Sequence, residues 1–435
     1  MADNTVDQAK LVMNTFAAHF ENNLVAADAV TWKQYDGEMT ERNRFQISEQ
    51  VPPRYNVTET VDGVVDLSAG VQDSVFGSEQ YTVNRTFGSS MGWGDFVAIR
   101  DIGDARKSEA IKSAALNLAE KIDAHVLRTA ALASSNWTGT AGSAVADFDD
   151  FVSGYTRLKE EGVDDSDLRG ILNYSDKQAL GSDVVDLPAP DGMVTKTFRE
   201  GFTGQIGGIP VVFTQQLPTL TVGTRAASGA AAMNGASQNV NYSDVAISAA
   251  PGQYKTQTIS INGLTGTQTV NDGEVFTIAN VNAWDERLGA SLGRPQQFRV
   301  IGNYTATGGA IANLRIFPAI IVPGSGTGGD IGVNTAHATV DSVPGATAAI
   351  TFLGAASAQV RPRVILQKQA IIVNTKALIK PATGISEFKQ LDKVPISVRM
   401  WADSVFGTGE HRVRFDVALT ANVRDRRRIV RINGS

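Results

Sequence analysis

The sequence contains no cysteine among its 435 residues. Disulfide bridges, thiolate zinc sites, iron–sulfur clusters and a cysteine nucleophile are therefore excluded together. Basic residues are also few: 39 Lys and Arg stand against 45 Asp and Glu, which gives a net charge of −6. Such a surface does not bind nucleic acid broadly, because phosphate binding needs an excess of cations. Any contact with DNA is predicted to be local and non-specific.

The chain also lacks the segments that direct export or span a bilayer. Its start, Met1 to Asn4, has no basic region followed by an apolar one, and no stretch approaches about 18 consecutive apolar residues. We therefore expect neither a secreted nor a membrane-spanning protein. With 42% hydrophobic and 19% charged residues, the composition is that of a folded chain, long enough for two or three domains.

Two helical patterns stand out. The first lies within Asp7–Ala27, where apolar residues recur at four-residue steps, which predicts an amphipathic helix. Its stripe comprises Val12, Phe16, Phe20 and Leu24, with Met13 and Ala17 beside them. The second runs from Ala105 to about Ala133 and would reach roughly 40 Å. Its stripe comprises Ile111, Ala115, Leu118, Ile122, Val126 and Ala130.

The rest of the chain alternates between mixed and purely β patterns. Short β-favouring runs from Arg44 to about Ala98 predict an extended hairpin arm, and residues 147–219 mix helix and strand signals, including a strand at Ile209–Phe213. Residues 220–357 hold only 13 of the 84 charged residues and 19 of the 42 glycines, and predict an all-β inserted barrel or sandwich. The alternation from Val413 to Val423 predicts a half-buried final strand.

Two glycine-containing motifs suggest chemistry, but each has a simpler interpretation. Gly88–Gly92 matches the G-x-S-x-G elbow of serine hydrolases, with Ser90 as nucleophile, yet no helical pattern follows it, and we interpret it as a turn. Gly324–Gly329 is similar to a phosphate-binding loop, yet no lysine follows, and we interpret it as a flexible connection between strands.

No metal or cofactor site is expected from the remaining polar residues. The histidines lie in different predicted elements without any paired ligand spacing; they are His19, His125, His337 and His411. Asp164, Asp165 and Asp167 are interpreted as the solvated face of a loop.

Arginines are concentrated at one place, near the end of the sequence. They are Arg412, Arg414, Arg424, Arg426, Arg427, Arg428 and Arg431. This group could touch packaged DNA or pair with carboxylates of a neighbouring subunit. Because no aromatic residues that stack on bases are interleaved, a solvated or interface surface is the preferred interpretation.

The order of these elements, together with three stretches, resembles the major capsid proteins of tailed bacteriophages, the Hong Kong phage fold. The similarity is greatest to coat proteins of short-tailed phages with an extra inserted domain. The stretches are Asp104–Lys112 with Ala124–Leu127, Phe198–Phe202 with Ile206–Val211, and Gly273–Ala283, which looks like the opening of the inserted domain. The resemblance implies an α+β fold and covers nearly the whole chain.

The resemblance also implies a role for each region. Residues 1–42 would be the N-terminal arm, 43–100 the extended arm (E-loop) with a peripheral strand, and 101–146 the spine helix of the peripheral domain. The axial domain would comprise 147–219 and 358–395, the inserted β domain 220–357, and the terminal peripheral strands 396–435. Gly70, Gly77, Gly88 and Gly103 would be hinges, and Arg412, Arg414, Arg426, Arg427 and Arg428 would lie at assembly interfaces.

The function implied is self-assembly into pentamers and hexamers of an icosahedral shell around double-stranded DNA, built in the host bacterial cytoplasm, without a cofactor. Because the chain starts with the arm, a separate scaffolding protein is expected, together with a portal protein at one vertex and an optional decoration protein. Two alternatives remain open: a β-rich tail-tube or adhesin-like virion protein, and a serine hydrolase using Ser90.

We predict that Gly103→Pro blocks shell formation yet leaves a soluble subunit, because proline fixes the backbone where the resemblance requires a hinge. Electron microscopy of the assembled material checks this. Particles of normal size and shape would contradict the prediction.

Overall fold

The computed structural model describes the chain except residues 1, 26–28, 35–45, 58–62, 64–71, 94–108, 142, 144, 146, 187–204, 227–230, 248–249, 251, 406–409 and 435. The helices in the described part are α1 (Ala2–Asn23), α2 (Glu109–Ala133), α3 (Phe148–Glu160), α4 (Tyr174–Asp186), α5 (Tyr242–Ala246) and α6 (Asp330–Ala336). The first twelve strands are β1 (Thr31–Gln34), β2 (Gln46–Val51), β3 (Gly77–Thr82), β4 (Thr86–Trp93), β5 (Asn136–Thr138), β6 (Leu168–Leu172), β7 (Gln205–Ile206), β8 (Ile209–Phe213), β9 (Leu220–Thr221), β10 (Ala232–Met233), β11 (Gln257–Asn262) and β12 (Thr269–Val270). They are followed by β13 (Val275–Asp285), β14 (Ala290–Val300), β15 (Tyr304–Thr305), β16 (Ile311–Phe317), β17 (Ile350–Leu353), β18 (Gln359–Val360), β19 (Arg363–Gln367), β20 (Ile371–Lys376), β21 (Ile385–Gln390), β22 (Ser397–Val405), β23 (Glu410–Val423) and β24 (Ile429–Ile432).

The chain forms two compact units, each assembled from three separate stretches of sequence. Unit 1 comprises Met1–Ile47, Tyr81–Thr129 and Ile371–Arg424. Unit 2 comprises Ser48–Gln80, Ala130–Ala370 and Asp425–Ser435. The segments expected at 358–395 and 396–435 therefore each contain residues of both units, and their domain roles stay a prediction.

Unit 1 is built on a six-stranded sheet around the long strand β23. The strand order is β1-β20-β23-β22-β21, with β4 also paired to β23. The expected half-buried strand is wrong for residues 415–421, because both faces are covered. Phe16 of α1 stacks on Phe415 at 3.9 Å between ring centroids on one face, and Val83 packs with Ala418 on the other.

The two predicted helices are present. Every residue of the predicted stripe of α2 is buried, from Ile111 to Ala130, so this prediction is confirmed over the described part of the helix. Ala105 to Ser108 lie outside the described residues. In α1, Met13, Phe16, Ala17 and Phe20 are buried as the spacing predicts.

The first sheet of unit 2 has the order β5-β24-β19-β6-β8-β7, so that the end of the chain supplies an inner strand. Phe151 and Leu158 of α3 pack on it with Ile365 and Val430 in one apolar core. Beside this core, Arg363 Nε and Nη2 each donate to Asp176 of α4 at 2.8 Å. A two-pronged arginine–carboxylate pair of this kind fixes position as well as supplying energy.

The second sheet of unit 2 lies within residues 220–357 and has the order β10-β11-β16-β14-β13-β17. Its first and last strands meet, since Met233 N donates to Ala348 O at 2.9 Å and Ile350 N donates to Ala231 O at 2.8 Å. The sheet thus closes into a small barrel filled by side chains. The core contains, among others, Ile259, Phe276, Phe298, Leu314, Ile316 and Phe352.

The two ends of residues 220–357 lie side by side, as an insertion requires. β9 pairs antiparallel with β18, and Val222 N donates to Ala358 O at 2.9 Å. Directly inside this neck, Arg225 Nε donates to Glu274 Oε2 at 2.6 Å, and its guanidinium lies 4.2 Å from the ring centroid of Phe352. The fully buried Arg225 therefore ties the neck to the barrel.

Two predictions for residues 220–357 are wrong in detail. The segment is not all-β, because it contains the short helices α5 and α6. Gly324–Gly329 does not connect strands but leads into α6. Local alternation of apolar residues finds strands well, whereas one- or two-turn helices have too few residues to show a period.

Phe16→Ala should lower the free energy of unfolding by about 3–5 kcal/mol, because it removes a fully buried ring and leaves a cavity against Phe415. Leu11→Ala, on the exposed side of the same helix, is the matched control and should cost less than about 1 kcal/mol. Urea unfolding of the two variants measures the difference. If the two variants lost the same free energy of unfolding, α1 would not be part of the core of unit 1.

Candidate functional site: a charge network in unit 2

The predicted hinge and nucleophile residues lie in strands or outside the described residues. Gly70 and Gly103 are not described. Gly77 begins β3 instead of forming a turn, and a Cβ there would lie 2.6 Å from Tyr254 Cε2, so glycine is needed for close packing. Whether Gly77 flexes in assembly stays a prediction.

The turn predicted at Gly88–Gly92 is wrong, because these residues lie inside β4. Ser90 stands opposite Arg414 in the ladder to β23, whereas a nucleophile elbow needs the serine on a strand-to-helix turn. A Cβ on Gly88 would lie 2.5 Å from Asp416 Oδ1. The glycine therefore makes room for a buried carboxylate.

The arginine concentration near the end of the sequence is divided between the two units. In unit 1, Arg414 Nε and Arg399 Nη2 donate to the buried Asp416 at 2.5 and 2.6 Å, while Arg412 is exposed. Arg426, Arg427, Arg428 and Arg431 belong to unit 2. A solvated surface is the wrong interpretation for Arg426 and Arg431, which are 6% and 1% exposed.

Arg431 and Arg426 are buried against aromatic rings. The guanidinium of Arg431 lies 5.0 Å from the ring centroid of Trp137 and donates to Ser134 O at 2.8 Å. Arg426 lies 4.9 Å from the ring centroid of Phe317 and donates to Gly252 O at 2.6 Å. Burial lowers the pKa of Arg431 to about 9, helped by the nearby charge of Arg299. These two residues are buried within the subunit. The assembly role that the resemblance implies stays a prediction for Arg412, Arg414, Arg426, Arg427 and Arg428.

Glu286, between the long strands β13 and β14, is the centre of a charge network. It accepts from Arg54 Nη1 at 3.1 Å, from Lys255 Nζ at 3.0 Å and from Arg427 Nη1 at 2.8 Å. Burial alone raises the pKa of Glu286, but the charges of Arg427 and Lys255 outweigh it and hold that pKa below its usual value. The carboxylate stays ionised and joins three segments that are far apart in sequence.

The terminal segment is held by a second carboxylate, Asp425. It caps the short 3-10 turn of residues 426–428 by accepting from Arg427 N at 3.1 Å, and it accepts from Arg428 Nε at 3.1 Å. Arg428 Nη1 donates in turn to Gln367 Oε1 at 2.6 Å. Arg427 therefore lies between two carboxylates, which raise its pKa.

An aromatic group borders the network on the other side. The rings of Tyr242 and His337 stack with 3.7 Å between centroids, and Lys255 Nζ lies 5.5 Å from the centroid of Tyr242. His337 Nε2 accepts from Arg54 N at 3.3 Å. Burial, with the charge of Lys255, lowers the pKa of His337 to about 3, so the ring is neutral and can accept this bond.

The described residues contain no group of three or more His, Asp or Glu that could hold a metal. His19 and His125 lie in α1 and α2, His337 follows α6, and His411 is in β23. In the described part of the chain, no helix has both the length and the apolarity that a bilayer crossing needs.

Sequence reasoning missed Glu286, Asp425 and Glu79. A signal existed for Glu286, because Asp285-Glu286-Arg287 is the densest charge in a segment with very few charges. Its partners Arg54 and Arg427 lie 232 and 141 positions away, so no local pattern could have joined them. The arrangement offers ion pairs and apolar packing, which hold chain segments together.

Comparison with known proteins shows to which family the chain belongs. The family model for P22 coat protein, gene protein 5, matches residues 1–428. The protein is thus a phage coat protein, a structural subunit of the virion shell. The chain belongs to the P22 coat protein family. A comparison with individually curated proteins gave no match.

Solved structures similar to the chain include phage capsids at low identity. A structure from Mycobacterium phage Che8 is 11% identical, with 95% of this chain and 92% of that one covered and a TM-score of 0.44. The capsid of cyanophage P-SCSP1u is 8% identical, with 95% and 88% covered and a TM-score of 0.45. The I-domain of the CUS-3 coat protein is 25% identical, with 29% of this chain and 96% of that one covered and a TM-score of 0.21. Membership of the family rests on the family model alone.

Glu79 of β3 is a buried carboxyl group beside Arg426, and only 2% of it is exposed. Burial raises its pKa from 4.5 to about 7, against the opposing charge of Arg426 and with a smaller contribution from Asp425. The unfolded chain loses this proton near pH 4.5, whereas the folded chain keeps it to about pH 7. Stability due to Glu79 is therefore full below pH 4.5 and is lost as the pH rises towards 7.

Glu79→Gln should remove this pH-dependent loss of stability, because the amide does not titrate. The drop in unfolding free energy between pH 5 and pH 8 should be smaller in the variant by about 2 kcal/mol, as measured by urea unfolding. Comparing the two pH values cancels any fixed cost of the buried amide. Asp149→Asn, at an exposed carboxylate in the first turn of α3, is the control and should keep the wild-type drop. A drop that is the same in Glu79→Gln as in wild type would contradict the assignment.

Proposed function

We propose that this coat protein assembles as pentamers and hexamers into a closed icosahedral shell around double-stranded DNA. The main support for this proposal is the match of the coat protein family model to residues 1–428. We infer that assembly uses a separate scaffolding protein and takes place in the host bacterial cytoplasm. A portal protein at one vertex, and a decoration protein on the shell, are further partners in this proposal.

The charge distribution supports a shell protein that contacts DNA only weakly. The net charge is −6, and Arg426 and Arg431 are buried inside unit 2. Arg412, Arg414 and Arg424 of unit 1 are the exposed cations of the terminal arginine group, at 48% exposure for the side chain of Arg414. So small a number of exposed cations gives a weak, non-specific attraction to phosphate.

The structure also offers a surface for self-association at the edge of the unit 1 sheet. In the described residues β21 has β22 as its single strand partner, and α1 also contacts it, with Lys389 Nζ donating to Asn14 Oδ1 at 3.0 Å. Ile385 and Phe388 on β21, and Ile379 before it, are exposed by 42%, 39% and 80%. Single exposed apolar residues are ordinary, but three at or beside one strand that has a single strand partner favour contact with another copy.

We infer that the protein performs this role without catalysis. The buried carboxylates Asp176, Glu274 and Asp416 are each paired with an arginine. Ser90, the candidate nucleophile, lies within a strand ladder. Carboxylates held in this way maintain the fold, because an ion pair with two or more hydrogen bonds fixes both partners.

Co-expression with a scaffolding protein, followed by negative-stain electron microscopy, tests the proposal. Wild-type protein should give closed shells of uniform size. Rings or long fibres would instead support a tail-tube or adhesin-like protein, and labelling of Ser90 by a fluorophosphonate would support a hydrolase.

The double variant Ile385→Asp, Phe388→Asp should remain a folded, soluble subunit and form few shells, because each aspartate places a charge on an apolar contact. Glu387→Gln, between the two positions, is the matched control and should assemble as wild type does. Normal shell yield from the double variant would rule out this edge as a contact surface.

A further inference from the structure

Two short limbs of unit 2 lie within residues 43–100, which the resemblance assigns to the extended arm. They are residues 52–57 and 72–76, here called the arm root, and of residues 58–71 only Gly63 is described. Asn56 N donates to Gln72 Oε1 and Gln72 Nε2 donates to Asn56 O, both at 2.9 Å. The hydroxyls of Tyr55 and Ser74 are 2.7 Å apart. These bonds join the two limbs to each other.

The first limb is bound to the inserted segment of the same chain by charge. Arg54 Nη1 donates to Glu286 Oε2 at 3.1 Å, and Arg54 N donates to His337 Nε2 at 3.3 Å. Glu286 is itself held by Lys255 and Arg427. Because the side chain of Glu286 is 14% exposed and that of Arg54 is 39% exposed, Glu286 is the fixed member and Arg54 the releasable one.

The second limb is bound by apolar contact and close packing. Val75 packs against the buried group that includes Tyr242, Ala319 and Val333. Next to it, a Cβ on Gly332 of α6 would lie 2.3 Å from Gln72 Cγ. The limb therefore rests directly on the glycine surface of α6, where any side chain would displace it.

We propose that the inserted segment acts as a latch, which means that it holds the arm root of its own subunit in place. Glu286 is the fixed member of the contact, and Arg54 is the member that can be released. The latch holds the arm root in place before a neighbouring subunit binds. Breaking the Arg54–Glu286 bond leaves the apolar contact of Val75 in place, so the arm root loosens without unfolding. Its consequence for shell geometry rests on the proposed function, whereas the latch itself is a property of the free subunit.

Hydrogen exchange of the free subunit tests the latch directly. Arg54→Gln removes the ion pair and leaves Lys255 and Arg427 paired with Glu286, so the subunit should fold. Backbone amides of residues 54–57 and 72–76 should then exchange about tenfold faster, while those of β13 and β14 stay as in wild type. Arg287→Gln is the matched control: Arg287 is in the same hairpin, is 62% exposed and donates to Gly162 O instead of the arm root. It should leave exchange in the arm root unchanged.

Two further variants separate the latch from a general loss of stability. Glu286→Gln should loosen the arm root at least as much as Arg54→Gln, and the protection of β19 and β24 shows whether the variant has folded. Gly332→Ala should speed exchange in residues 72–76 although alanine favours the helix, because the methyl group meets Gln72.

Unchanged exchange in the arm root of folded Arg54→Gln would overturn the latch, whatever the particles look like. The sizes of shells formed with a scaffolding protein are a separate measurement. A loosened arm root should broaden the size distribution. Failure of wild-type protein to form shells would refute the proposed function and leave the exchange result standing.

Discussion

Unit 2 depends on the pairing of one carboxylate, Glu286, with three cations that are far apart in sequence. Arg54, Lys255 and Arg427 come from three distant parts of the chain and meet within 3.1 Å of this side chain. A carboxylate at this depth with no cation beside it would be costly, so Glu286 needs partners from other parts of the chain. The inserted barrel, the terminal segment and the arm root are therefore all held at the same side chain.

Unit 1 follows the same principle with different chemistry. Its long strand β23 is covered on both faces, so the sheet needs an apolar partner on one side and a neutralised carboxylate on the other. Phe16 of α1 supplies the first, and Arg399 and Arg414 neutralise Asp416 as the second. A shell subunit benefits from such internal pairing, because charges that are satisfied within the chain leave the remaining surface to select its neighbours.

Sequence reasoning succeeded where the signal is local and failed where the partner is remote. The buried stripe of α2 and the strand at Ile209–Phe213 were predicted correctly, since periodicity within a single element defines each. The exposure of Arg426 and Arg431 was predicted wrongly, because Phe317 and Trp137, which cover them, lie more than a hundred positions away. The charge network could not be predicted for the same reason, because the partners of Glu286 are remote in sequence. The local signal was only that Asp285-Glu286-Arg287 is densely charged in a segment with few charges.

The central claim is that the inserted segment of each subunit holds the arm root of that same subunit. A density map of the assembled shell at side-chain resolution tests it most directly. The account predicts that the guanidinium of Arg54 lies against Glu286 of its own chain in every copy of the lattice. Arg54 paired instead with a carboxylate of a neighbouring subunit would contradict it.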